Sequence, residues 1–253
     1  MRGAATLKLH MKLAAAFSVL IALAVVPASA HAAPACTGEP VVLVHGTFGD
    51  STNWGYIQQQ LESQGSCTFA IDYGNRGTGD IPTSARQLAT FVDGVLATTG
   101  AAKVDIVGHS QGGMMPRYFI KNLGGAAKVD DLIGLAPSNH GTDTSLAAAS
   151  DERLCAACRQ QATGSDFLTA LNAGDETPGD VDYTVVETRY DEVVTPYTSA
   201  FLDDGTNVLL QDKCPRDASE HLTIIADQAV VQWIENALAR SGPADPGFTP
   251  QCV

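Results

Sequence analysis

Gly108-His109-Ser110-Gln111-Gly112 constrains this chain more than any other stretch, because a strand pattern runs into it and a helix pattern runs out of it. Lys103 to Val107 reads as a short, half-apolar strand, and Gly113 to Ile120 as the opening of a helix. A serine on so tight a strand-to-helix turn holds a strained backbone, and its Oγ is pushed out above the sheet. Side chains two residues to either side would strike neighbouring backbone, so glycine is required at 108 and 112. The helix that follows aims free N–H groups and the positive end of its dipole at the reacting centre. The five-residue pattern is common by itself; between a strand and a helix it marks a nucleophile.

A second signal lies upstream. Pro40-Val41-Val42-Leu43-Val44 is a continuous apolar run, as expected of a strand buried on both faces of a parallel sheet, and it ends in His45-Gly46-Thr47-Phe48-Gly49. A glycine-bearing turn here is placed to supply one backbone N–H to an oxyanion, with the N–H of Gln111 as the other. Further along, β and α patterns alternate. Trp54 to Gln64 predicts a helix and Cys67 to Ile71 a strand. Pro82 opens a helix in which Leu88, Phe91, Val92, Val95 and Leu96 form one apolar stripe, and Gly100 ends it. Strands follow at Asp131–Leu135, Tyr183–Glu187 and Asn207–Leu210, and a closing helix at Leu222–Ala239. This alternation predicts a mostly parallel central sheet with helices on both faces. The stretch 139–179 is long for a connection, so it is expected to form a cap or part of a pocket.

With these motifs in view, the chain resembles the class 2 family of secreted bacterial lipases. The likeness rests on Val44-His45-Gly46, on Gly108-His109-Ser110-Gln111-Gly112-Gly113, and on Ala136-Pro137-Ser138-Asn139-His140-Gly141-Thr142. A fainter likeness, in Gly46-Thr47 and Ser110-Gln111-Gly112, is to the fungal lipase B type. The resemblance implies an α/β-hydrolase fold and ester hydrolysis. In that fold the catalytic residues follow the order Ser, acid, His. His45 and His109 precede the serine and His140 follows it too closely, which leaves His221, between the last strand and the last helix. For the acid, Asp191 directly follows a predicted strand and matches the family's Tyr-Asp pattern at Tyr190-Asp191; Glu192, Asp203 and Asp204 are the alternatives. Thr47 and Gln111 are the expected oxyanion donors. Whether the Thr47 hydroxyl adds a third donor, as the fungal type implies, or only satisfies its own turn is open. Phe48, Trp54 and Tyr73 are candidates for lining an acyl pocket, whereas Met114 and Met115 read as helix packing.

Residues 1–32 carry Arg2, Lys8 and Lys12, an apolar core from Leu13 to Val26, and small-residue cleavage patterns around Ala30. This is the pattern of a secretory signal peptide, too short in its apolar core for a membrane span, followed by one catalytic domain over 33–253. A secreted monomer without a transmembrane anchor is expected. All six cysteines fall after residue 32, and an even count in an oxidising compartment predicts three disulfides. Cys155-Ala156-Ala157-Cys158 alone could be a redox pair or half a zinc site, but no second such pair supports zinc. The fungal lipase B type implies Cys36–Cys67 and Cys214–Cys252, and Cys155–Cys158 remains as the third pair. No metal and no cofactor is implied.

With 15 basic against 28 acidic residues and no basic stripe, the chain is not built for nucleic acid. The reading is a serine hydrolase of triacylglycerol or similar carboxylic esters, acting on dissolved substrate or at a lipid interface. The alternatives are a polyester depolymerase, thioesterase or amidase with the same residues, and a binding module without catalysis.

Overall fold

Six short strands, β1 Val41–Val44, β2 Thr68–Ile71, β3 Val104–His109, β4 Val129–Leu135, β5 Asp182–Glu187 and β6 Thr206–Leu209, form one sheet in the order β2-β1-β3-β4-β5-β6. Every neighbouring pair is parallel. The computed structural model describes Met1, residues 36–144, Asp151 and residues 153–252. Those from 36 onward belong to one unit, Pro34–Val253. Apart from Met1, the expected signal segment lies outside the described residues. Among the described residues no helix is long and apolar enough to cross a membrane.

The strands are apolar on both faces because helices cover both. On one side, Val42, Val44, Val104 and Ile106 pack with helix α2 (Ile81–Thr99) and helix α3 (Gln111–Asn122). Leu88, Val92 and Val95 of the α2 stripe are buried there, with Phe91 and Leu96 half-buried at its edge. On the other side, Val41, Leu43, Val107 and Ile133 meet helix α1 (Gly55–Ser63) and the closing helix (Gln228–Leu238) through Ile57, Leu61, Trp233 and Ile234. That closing helix is shorter than the 222–239 expected. Asp227 takes the N-cap, accepting from the N–H groups of Ala229 and Val230, so His221 and Leu222 stay in a loop.

Strand order also decides where a site can form. From β1 the chain moves outward to β2, then returns across to β3 on the other side of β1. The connections leaving β1 and β3 therefore part in opposite directions and open a crevice at their C-terminal ends, as at a topological switch point. His45-Gly46-Thr47 and Ser110 stand at that crevice. Three disulfides close the loops around the sheet: Cys36–Cys67, Cys155–Cys158 and Cys214–Cys252. The first ties the chain ahead of β1 to the start of β2. The third holds the C-terminal tail to the turn after β6, a few residues before His221.

Candidate active site

Ser110 occupies the junction of β3 and α3 with φ 56° and ψ −123°, a region that a residue with a Cβ seldom enters. Such a conformation costs on the order of 1–3 kcal/mol and persists only where the surroundings impose it. Here they do. A Cβ on Gly108 would lie 1.8 Å from the Gly112 carbonyl oxygen, and one on Gly112 would lie 2.0 Å from that of Val44. The two glycines let the strand, the turn and β1 approach to a separation that no other residue allows. Gln111 is the first residue of α3, so its N–H has no partner within the helix and faces the crevice end.

The turn after β1 is braced from outside. Residues Gly74–Gly77 form a tight left-handed loop, with Asn75 at φ 51° and Arg76 at φ 61°. The Phe48 N–H donates to the Arg76 carbonyl at 2.7 Å, and the Arg76 guanidinium returns a bond of 2.7 Å to the Phe48 carbonyl. This reciprocal pairing fixes the turn while leaving the Thr47 N–H without a backbone acceptor among the described residues. The Thr47 hydroxyl is engaged. It donates to Gln111 Oε1 at 2.6 Å and accepts from Gln161 Nε2 at 2.9 Å. Gln161 is itself anchored, since Ser138 Oγ donates to its Oε1 at 2.8 Å. Sequence reasoning missed Gln161, which stands 50 residues from Gln111 in a segment with no motif.

Asp191 and His221 come together from separate loops. Nδ1 of His221 donates to Asp191 Oδ2 at 2.7 Å, and both side chains are buried. The other carboxylate oxygen, Oδ1, accepts the N–H groups of Val193 and Val194 at 2.8 and 2.7 Å, which fixes the plane of the carboxylate. Behind the imidazole, His109 donates from Nε2 to the His221 carbonyl at 2.8 Å. Burial first, and then the neighbouring His221, push the His109 pKa down to about 3, so it serves as a neutral donor. Below the pair lies Glu187, fully buried and also overlooked from sequence; burial, and next the charge of Asp191, hold its carboxyl well above the usual range.

Ser110 and His221 line one cleft together with Thr47, Phe48, Ser138, Thr142, Thr144, Cys158, Gln161, Val193, Val194 and Leu222. The cleft encloses about 180 Å³. The described part of the 139–179 stretch thus forms one wall. Phe48 is 49 % exposed and Leu222 68 % exposed, an apolar rim at the mouth. Two of the aromatic candidates are elsewhere. Trp54 is buried in the core beneath α1 and the closing helix, where a large ring fills space between layers. Tyr73 stacks on His45 with ring centroids 4.4 Å apart and donates its hydroxyl to the His45 carbonyl, so it supports the turn from behind. Met114 and Met115 are fully buried in the helix packing. His140 is turned to Glu176 and to the Ser199 carbonyl, while Glu192, Asp203 and Asp204 are exposed.

Comparison with known proteins agrees on the kind of molecule. A family model described as lipase (class 2) matches residues 38–234. A triacylglycerol lipase of Pseudarthrobacter phenanthrenivorans is 40 % identical over 91 residues, which are 33 % of this chain and 28 % of that protein. Lipase B of Pseudozyma antarctica is 30 % identical over 200 residues, 72 % of this chain and 56 % of that one. The crystal structure of Aspergillus fumigatus lipase B superposes with a TM-score of 0.73 at 24 % identity, covering 83 % of this chain and 54 % of the other. The chain thus spans less than two thirds of the length of each of these three.

Proposed function

The chain belongs to the class 2 lipase family, with the α/β-hydrolase fold, and from that premise we propose that it hydrolyses carboxylic esters through Ser110, Asp191 and His221. One observation carries the reading: a serine in a strained turn at a helix N-terminus shares a cleft with a buried imidazole whose far nitrogen is bonded to a carboxylate. In the reaction Nε2 of His221 takes the Ser110 proton while Oγ attacks the ester carbonyl. Asp191 accepts from Nδ1, keeps the imidazole in the tautomer that leaves Nε2 free, and stabilises the imidazolium without taking its proton. The N–H groups of Thr47 and Gln111 face the developing oxyanion, where two oriented donors in a dry site lower the barrier more than any other single effect. His221 then returns the proton to the leaving alkoxide. Water, activated in the same way, releases the acid from Ser110.

The cleft favours an apolar acyl group. At about 180 Å³ it is smaller than the roughly 300–1,000 Å³ that hold a whole drug-sized ligand, so a long chain would run out across Phe48 and Leu222. That rim suits triacylglycerol or a similar ester presented at a lipid surface. The three disulfides support export to an oxidising compartment, and thus a secreted enzyme. The test is a series of soluble p-nitrophenyl esters, emulsified triglyceride and a polyester film, with fluorophosphonate labelling in parallel. Label at Ser110 with hydrolysis of the emulsion is the expected result. Label without turnover of any ester would refute ester hydrolysis, and the absence of label would refute Ser110 as nucleophile.

A further inference from the structure

At the end of the sheet away from the cleft, β3 and β4 carry a bulge. Val104 pairs with Val129 and Ile106 with Leu132, so the single residue Asp105 faces two, Asp130 and Asp131. Successive strand residues normally point to opposite faces; a bulge bends the strand and turns two neighbours toward one side. The three carboxylates each present an oxygen within 4.8 Å of the others. Four residues of β3, Ile106 to His109, separate Asp105 from Ser110, which lies roughly 16 Å along the strand.

Burial makes this grouping costly as it stands. Asp131 is 3 % exposed and Asp105 4 % exposed. The Asp131 carboxylate accepts no hydrogen bond from any described residue, and its Oδ1 is sealed from solvent. Asp105 Oδ1 receives one long bond, 3.3 Å, from the Asp131 N–H. Buried carboxylates are otherwise paired, hydrogen-bonded or bound to metal. The nearby cation, Lys103, is spent on the outermost member, donating to Asp130 Oδ1 at 2.8 Å. Glu39 beside Asp105 and Asp182 beside Asp131 add further negative charge. Asp130 is half exposed, leaving a way in from solvent.

We propose that Asp105, Asp130 and Asp131 form a binding site for a calcium-class divalent cation, which stabilises the N-terminal edge of the sheet. An all-oxygen carboxylate set with no His or Cys selects a hard ion. Two ligands on opposite sides of Ca²⁺, each at about 2.4 Å, stand about 4.8 Å apart, so the three oxygens can share one such ion. Mg²⁺, at about 2.0–2.1 Å, demands a tighter octahedron and is the poorer fit. The rival occupant is protons, because burial raises Asp105 to about 7 and Asp131 to about 9.

The experiment uses the whole chain, stripped with a chelator and titrated with calcium chloride alone, read by calorimetry and by thermal unfolding. Saturable binding of one ion is expected, with Kd on the order of 10⁻⁴–10⁻³ M as for extracellular calcium modules, and with an upward shift in Tm. Asp131→Asn should weaken binding at least tenfold. Asp130→Asn, half exposed and safe for folding, should weaken it as well. Fluorophosphonate labelling of Ser110 should be unchanged in both. No binding by the wild type at millimolar calcium would overturn the site in favour of protons. Binding that both asparagine variants retain would place the ion elsewhere and overturn it equally.

Discussion

Replacing Thr47 by valine removes one hydroxyl and leaves the backbone N–H and the side-chain shape almost intact. In the resting structure that hydroxyl spends its proton on Gln111 Oε1 and accepts from Gln161 Nε2. When an oxyanion forms beside the Thr47 N–H, the proton has a charged acceptor to turn to, and charge-assisted bonds are roughly twice as strong as neutral ones. The abandoned Gln111 Oε1 is not orphaned, because Gln161 Nε2 already lies 3.2 Å from it. The exchange therefore favours the transition state over the ground state, the condition for raising kcat. Loss of such a donor should cost about 2.7–4 kcal/mol, or 10²–10³ in kcat, with KM little changed. The stability cost is separable. Two bonds at about 0.5–1.5 kcal/mol each are removed, and both glutamines keep other partners, so about 1 kcal/mol is expected. That amounts to roughly 2–4 °C in Tm for a chain of this size. Steady-state kinetics on a soluble ester, alongside thermal unfolding, measures both, and Thr47→Ser should retain most activity. A valine variant with kcat within a few-fold of wild type would refute the turn toward the oxyanion and leave the hydroxyl as a brace for Gln111.

Ser110→Ala should abolish nearly all turnover, His221→Ala should cost about as much, and the double variant little more, since the groups act as a unit; additive losses would contradict the assignment. Gly112→Ala puts a methyl 2.0 Å from the Val44 carbonyl oxygen, so it should fail to fold or lose fluorophosphonate labelling, whereas the open position Gly94→Ala should be silent in both. His109 has a pKa of about 3 in the fold against about 6.5 unfolded, so below pH 6.5 the unfolded chain takes a proton that the folded one refuses. Stability should therefore fall as pH drops from 6.5 toward 3. His109→Gln should lessen that slope by about one proton, or about 1.4 kcal/mol per pH unit, in denaturant titrations at pH 6, 5 and 4, and an unchanged slope would exclude His109 as the group. Replacing Cys214 and Cys252 by serine should lower stability by roughly 2–5 kcal/mol in the same titrations, and a loss below 1 kcal/mol would show that the tail is held by other contacts.

What sequence determines here is local. A strand is legible at Val41–Val44 because four apolar residues in a row suit burial on both faces, and α2 is legible because its apolar stripe has helical spacing between Pro82 and Gly100. The serine turn is legible for a steric reason: only glycine at 108 and 112 permits it, so the chemistry leaves a mark on the residues themselves. Helix ends were less well marked. Leu222 to Ala239 carries apolar residues throughout, yet Asp227 captures the free N–H groups and starts the helix there. Chain order narrowed the choice of acid and histidine to a few positions, but the 2.7 Å contact between Asp191 and His221 spans 30 residues and depends on two loops packing together. The aromatic candidates divide by layer, not by type: Phe48 reaches the cleft, and Trp54 and Tyr73 fill the spaces behind it. Only the tertiary structure brings Gln161 to Thr47, sets Glu187 beneath Asp191, and gathers three aspartates at one bulge. Gln161 and Thr47 are 114 residues apart, the aspartates meet through the register of β3 on β4, and Glu187 lies under Asp191 only because the chain turns back after β5, so the spacing of residues along the chain does not reveal any of these contacts.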